Sequence, residues 1–386
     1  MTNNGTVSNV RVTASISATV TEDTRIGGLV YDNEGTVTGS TFAGSIAATG
    51  DALTSAVVLG GIAAYSGGAS SKLVSCTNEA AITLSATTIR GVAAAGVVGY
   101  LEGPATSCTN NGGVTVSADY ASGKCTVINT SSATPAAAGI CAYGNTDSFS
   151  LTDCVNNGSV AYSLTSVDKY TSALNRNQFA GIVANPYGNV TSCVNNGSVD
   201  ISLKSSTGDQ YTTAEHIVCV GGIGGGDWFA GSAQDKTNYI SCTNNGDVTV
   251  FTDVQKSNSA VGGICGWPGA EATRSNKTSK CDNNGNITIK GTGKVRVGGI
   301  HGGAGVLESC INYGNVTVES GDVACAAGGI AGFHSQALAM SGCKSYGTVK
   351  ATAGANYGVG GLVGNQGNAA SKISNCGCSA RWSTTP

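Results

Sequence analysis

Apolar and polar residues alternate over short stretches of this chain, as in Val199-Asp-Ile201-Ser-Leu203, Val248-Thr-Val250, Ile287-Thr-Ile289 and Val316-Thr-Val318. A period of two predicts a strand with one face buried. No long stripe with the roughly 3.6-residue helical period runs alongside it, and the abundant glycine, threonine, valine and asparagine disfavour helix. A second strand is expected at a Gly-Gly-Ile motif, where an aliphatic residue follows the second glycine in all ten copies. A third, short strand leads into a cysteine, as in Leu73-Val-Ser-Cys76 and Leu307-Glu-Ser-Cys310.

These elements recur in a fixed order. Turns of the form Cys-x-Asn-x-Gly-x-Val begin at Cys108, Cys154, Cys193, Cys242, Cys281 and Cys310, with weaker copies at Cys76 and Cys343. Two copies lack the cysteine, Met1-Thr-Asn-Asn-Gly5-Thr-Val7 and Ser40-Thr-Phe-Ala-Gly44-Ser-Ile46. Ten turns starting 29 to 49 residues apart, each answered by a glycine motif, make a one-dimensional array. Three short strands per repeat describe one coil of a parallel β-helix, and right-handed crossovers are the rule for parallel strands. The expected fold is therefore all-β, a right-handed parallel β-helix (β-solenoid) of about ten coils spanning residues 1–386 as one domain. Each coil adds about 4.8 Å, so ten give a rod of roughly 50 Å.

Within each turn the asparagine two residues after the cysteine (Asn78, Asn110, Asn156, Asn195, Asn244, Asn283, Asn312) is expected to stack on its counterpart, its amide donating and accepting along the axis. The glycine two positions later is expected to supply a positive φ. Met1 falls where the repeat would place a cysteine, and Cys376-Gly-Cys378 reads as an eleventh turn that breaks off, so residues 375–386 are an incomplete last coil or cap. The chain reads as a piece of a longer protein. An uncovered terminal coil exposes a strand edge, and end-to-end self-association is expected from it.

With 58 glycines, 11% charged residues and a net charge of −3, the chain has no basic footprint for nucleic acid or an anionic membrane. No apolar run approaches the about 18 residues that would insert into a bilayer. Of the 15 cysteines, eight at repeat spacing plus Cys376 share one position and are read as a buried column of small side chains, with isolated bridges geometrically allowed. His216, His301 and His334 form no His-Glu-x-x-His pattern, and Cys376-Gly-Cys378 is too tight for a standard zinc pair, so no metal or cofactor site is expected. Glu215-His216 and Asp227-Trp228 come nearest to an acid/base group and are read as exposed loop residues.

One pattern lies outside the scaffold. Four residues beyond the second glycine stand Tyr65, Tyr100, Tyr143, Trp267 and Phe333, with Tyr31 one residue earlier and Tyr187 and Trp228 two later, in a chain that is only 6% aromatic. Exposed at one corner, such rings would offer faces for a sugar chain to stack on. Packed on one another, they would simply cover the corner. Insertions at 117–135, 163–178, 204–218 and 226–239 could build a local site on the central coils.

Gly328-Gly-Ile-Ala-Gly332, Gly360-Gly-Leu-Val-Gly364 and the Cys-x-Asn-x-Gly-x-Val turns together resemble the GLUG-type repeats of large secreted and surface-attached bacterial proteins. The resemblance covers essentially the whole chain and is specific for architecture rather than activity. It implies an extracellular, cell-surface location and an adhesive or spacer role, and it transfers no catalytic residue. The expected function is an adhesin recognising a glycan or host surface glycoprotein through Tyr65, Tyr100, Tyr143, Tyr187, Trp228, Trp267 and Phe333. A passive stalk is the alternative, and a β-helix carbohydrate-active enzyme would need carboxylates converging in a groove.

Overall fold

A computed structural model of the chain describes residues 1–21, 23–53, 56–68, 70–89, 91–121, 125–127, 130–133, 135–166, 175–204, 216–226, 237–253, 257–267, 276–303, 305–320, 325–334, 338–352, 358–366, 372–379 and 382–385. The described residues are all-β, with no helix. One repeat shows the succession. Ser257–Gly262 is a strand, Gly263 and Ile264 bend, and Cys265–Trp267 continues on a new face. Lys277–Ser279 leads to Cys281, Asp282–Asn283 follows it, and Ile287–Gly291 closes the unit. Each of these strands pairs in parallel with its equivalents in the neighbouring repeats, so that Val261 faces both Val220 and Val297.

The result is a set of long parallel sheets in a solenoid-like stack. Ten strands form the sheet before the glycine motif and eleven the sheet before the cysteine, and the sheet after the glycine motif contains eight. A separate parallel pair, Ala331–His334 with Val363–Gln366, continues that last face through single bridges of His301 to Cys265 and Ala331. The exception among the described strands is an antiparallel pair, Cys125–Val127 with Thr130–Ala133, inside an insertion. Ala95, Ala138 and Ala180, in place of the first glycine, keep the same register as Gly60 and Gly221.

The glycine motif is a corner rather than a strand. A Cβ on Gly181 would lie 2.1 Å from Cγ of Asn195, one on Gly222 2.2 Å from Asn244, and one on Gly263 2.2 Å from Asn283. The missing side chain leaves the space that the next turn's asparagine amide fills. The two sequence motifs are thus halves of one packing unit.

That asparagine forms the ladder its spacing predicts. From Asn78 through Asn110, Asn156, Asn195, Asn244 and Asn283 to Asn312, every Nδ2 donates to the next Oδ1 at 2.8 Å. Each amide also donates to the carbonyl two residues on, as Asn195 does to Gly197 at 2.8 Å. All seven side chains are fully buried, where an unpaired amide would be costly. Beside them run apolar columns such as Ile82, Val114, Val160, Val199, Val248, Ile287 and Val316, which belong to one continuous core.

Two local expectations are corrected. The glycines that follow the ladder asparagines do not have a positive φ, although Gly44 of the asparagine-free copy does, at 128°. Glycine is needed there because the rungs approach closely: a Cβ on Gly197 would sit 1.9 Å from the Gly158 carbonyl oxygen. The left-handed residue is instead the one before the cysteine, at Ser75, Ser107, Asp153, Ser192, Ser241, Lys280 and Ser309, with φ between 52° and 55°. Nor is Met1–Val7 a copy of the cysteine turn. Thr2 and Asn3 pair with Asp32 and Asn33, and Arg11 pairs with Thr41, so Val10 occupies the cysteine position of that rung. Asn3 belongs to a different short ladder, donating to Asn33 Oδ1 at 2.7 Å, and Asn33 donates to Ser66 Oγ at 2.9 Å. At the other end Gly377–Cys378 pairs with Lys344–Ser345, and Trp382–Thr385 with Val349–Thr352.

Candidate functional site

The structure puts five of the aromatic residues in one column. Tyr65, Tyr100 and Tyr143 are in register, followed by Asn185; further along the same line come Gly226 and Trp267, and Phe333 pairs with Asn365. Tyr187 lies two residues off the column and packs half-buried against the core. Tyr31 is also off it, since Asp32 pairs with Tyr65, and its side chain is exposed. Trp228 and Asp227 lie outside the described residues, as do most of 204–218 and 226–239 and parts of 117–135 and 163–178.

The column covers its corner. Tyr100, Tyr143 and Trp267 are buried, and Tyr65 and Phe333 are half-buried. Ring faces are taken by neighbours: Tyr65 stacks on Tyr100 at 5.2 Å with Arg25 5.0 Å from its centroid. Where the register calls for a ring between Trp267 and Phe333 there is none, and Arg296 reaches over both rings, at 4.7 and 5.1 Å. A cation over each ring supplies the attraction a stacked ring would give. Tyr65 Oη also donates to Glu102 at 2.8 Å. A sugar needs an open face, and this arrangement corrects the expectation that these rings present a row of them.

Concavity occurs elsewhere. The strands after the turn carry outward rows in register, Thr19, Thr49, Ser85, Ser117, Ser163 and Ser202 in one, and Asp51, Thr87, Asp119 and Thr165 in the next. Between them lies a groove of about 390 Å³. Its described lining is hydroxyl-bearing or small apart from Asp51 and Asp119, with no Lys or Arg. Asp119 Oδ1 accepts the Thr165 hydroxyl at 2.9 Å, which orients that carboxylate. Neither row contains an aromatic residue, and its trace in the sequence is the recurring serine at Ser85, Ser117, Ser163 and Ser202.

A second exposed array was also missed. The residue after the ladder asparagine forms its own chain of amides at the surface, Asn157 to Asn111, Asn196 to Asn157 and Asn245 to Asn196 at 2.8 Å, and Asn284 to Asn245 at 2.7 Å. Tyr313 and Tyr346 continue that line, exposed and stacked at 5.3 Å with 14° between their planes. Because the rings face along the stack, they show mostly edges to solvent.

The remaining chemistry is internal. Cys76, Cys108, Cys154, Cys193, Cys242, Cys281, Cys310 and Cys343 are fully buried and unbridged, as the reading of small core side chains expects, while Cys376 is half-buried. His301 is buried with Nε2 2.8 Å from Thr278 Oγ1 and no partner at Nδ1; burial pushes its pKa down to about 4. His334 is likewise buried, against the Leu338 carbonyl, and is shifted in the same direction by burial. Among the described residues no three His, Cys, Asp or Glu side chains are grouped to hold a metal ion. No family model, no curated protein and no solved structure matches the chain.

Proposed function

We propose that the chain is a right-handed parallel β-solenoid of about ten coils that serves as a rigid extracellular shaft of a bacterial surface protein. The observation that carries this reading is the buried asparagine ladder, whose six links of 2.8 Å run unbroken from Asn78 to Asn312. A buried amide that shares its bonds between its own turn and the next rung makes each coil depend on its neighbour, which stiffens a stack along its axis. The covered aromatic corner supports the same reading, since its rings are spent on one another and on Arg25 and Arg296. The resemblance to GLUG-type repeats supplies the surface location.

Small-angle X-ray scattering tests the shaft directly. A rod with a long dimension of roughly 50 Å or more is expected, and a scattering curve fitted by a sphere would overturn it. The Arg11–Thr19 strand pairs with Thr41–Ala52 along one edge, and its inward Val12, Ala14, Ile16 and Ala18 are half-buried. A second copy could add to that edge, and sedimentation of the chain as a monomer at high concentration would remove end-to-end association. An adhesin for a glycan or host glycoprotein remains the second reading, and its favouring observation is the polar groove rather than the aromatic corner.

A further inference from the structure

We propose that the groove between the two outward rows binds an extended glycan laid along the stack, with Asp51 and Asp119 holding its hydroxyl or amine groups and Thr49, Ser85, Ser117 and Ser163 contacting successive sugar units. The proposal rests on the adhesive reading but not on the aromatic corner, and it is independent of whether the chain is a shaft.

Three observations combine. The first is shape: a groove of about 390 Å³ falls within the range of small-ligand sites. The second is periodicity. Thr49, Ser85, Ser117 and Ser163 stand in register on consecutive rungs, so hydroxyls recur about every 4.8 Å, close to the advance of one pyranose in an extended chain. The third is charge. The described lining holds two carboxylates and no cation, and a carboxylate accepts hydrogen bonds from a diol or an ammonium more strongly than a neutral acceptor does. Asp119 is already oriented by Thr165. The same charge repels uronic acids. Asp51 and Asp119 stand two rungs apart, roughly 10 Å, at or past the widest spacing of hydrolytic carboxylate pairs, which favours holding a chain over cutting it.

The test is calorimetric titration of the whole chain with three hexasaccharides: a chitosan oligomer bearing free amines, neutral cellohexaose, and an oligogalacturonate. The expected order is amine first, neutral second, and no binding of the uronate. Asp51→Asn with Asp119→Asn should weaken the amine ligand by about tenfold or more, while Ser85→Ala with Ser117→Ala should weaken both binding ligands by several-fold. Circular dichroism checks that these replacements, exposed at Asp51, Ser85 and Asp119 and half-buried at Ser117, leave the fold intact, and each pair serves as the check on the other. Tightest binding of the uronate, no binding of any probe, or unchanged binding in both variants would overturn the proposal. Release of reducing ends during incubation would overturn the holding role in favour of hydrolysis.

Discussion

Adjacent residues of the same type behave differently in this molecule. In Asn195-Asn196 the first amide is fully buried and the second is exposed, yet both donate along the stack at 2.8 Å, Asn195 to Asn244 and Asn196 to Asn157. The two ladders even run in opposite senses, the inner donating to the following rung and the outer to the preceding one. The stacking distance therefore does not distinguish them. What differs is the alternative open to each amide when the bond is broken: water is at hand for Asn196 and excluded from Asn195. The inner ladder should carry stability, and the outer should contribute little.

Replacing Asn195 breaks that contrast most severely. Asn195→Ala removes bonds to the Gly197 carbonyl and to Asn244 and takes away one of the two acceptors of the Asn156 amide, which donated to it at 2.8 Å. A loss of about 3 to 5 kcal/mol is expected, read as a shift in the urea midpoint, with hydrogen exchange accelerating first at the flanking rungs. Gly181→Ala should be nearly as damaging, because its Cβ would lie 2.1 Å from the Asn195 Cγ. If glycine and asparagine are one packing unit, the methyl group partly fills the space left in Asn195→Ala. The double variant should then be more stable than the sum of the singles by about 1 kcal/mol or more. Simple additivity would show that the two motifs are separate.

That coupling also marks how far the chain could be read before its structure. The strand after the turn, the apolar columns, the asparagine ladder and the buried cysteines follow from a repeat whose equivalent positions must stack. The turn direction does not. Serine holds the left-handed position at Ser75, Ser107, Ser192, Ser241 and Ser309, but Asp153 and Lys280 adopt it equally, and serine is so frequent along the chain that its place before the cysteine does not stand out. Met1-Thr-Asn-Asn-Gly5 matches the turn motif letter for letter after its first residue and nevertheless lies on another face, because a short motif does not encode its register. Burial of Tyr100 beside an exposed Tyr31 was likewise illegible: both follow a glycine motif, and a single residue of offset decides which side of the strand a ring occupies.

A buried polar group with an incomplete set of partners tests the same principle by titration. His301 is enclosed with an unpaired Nδ1, and its pKa is depressed to about 4 from an ordinary 6.5 by burial; Cys310 and His334 are the titratable groups whose charge it senses. The unfolded chain takes up the proton first. Stability from this group is thus complete above about pH 6.5 and is lost as pH falls through 4, by up to about 3 kcal/mol. Melting temperatures measured between pH 7 and 4 should fall accordingly, and His301→Gln should flatten the slope. An unchanged slope would assign the acid sensitivity elsewhere, His334 being the next group shifted the same way.

The smallest effect is the sharpest test of the opening contrast. Asn196→Ala removes two surface amide bonds, to Asn157 and from Asn245, at the same 2.8 Å distances found inside. Were bond count decisive, its cost would approach that of Asn195→Ala. Solvent instead supplies replacement partners at once, so the change should stay within about 0.5 kcal/mol. The chain has already made a related substitution, since Tyr313 takes the place of the outer amide beside Asn312, which still accepts from Asn283 at 2.8 Å, and Tyr346 stacks on it from the next rung, where the inner position is Ser345. Tyr313→Asn with Tyr346→Asn would extend the outer ladder over both rungs and is expected to be as quiet in the same denaturation experiment. A cost above about 1.5 kcal/mol in either variant would mean that exposed ladders help to hold the stack, and the distinction drawn from burial alone would fail.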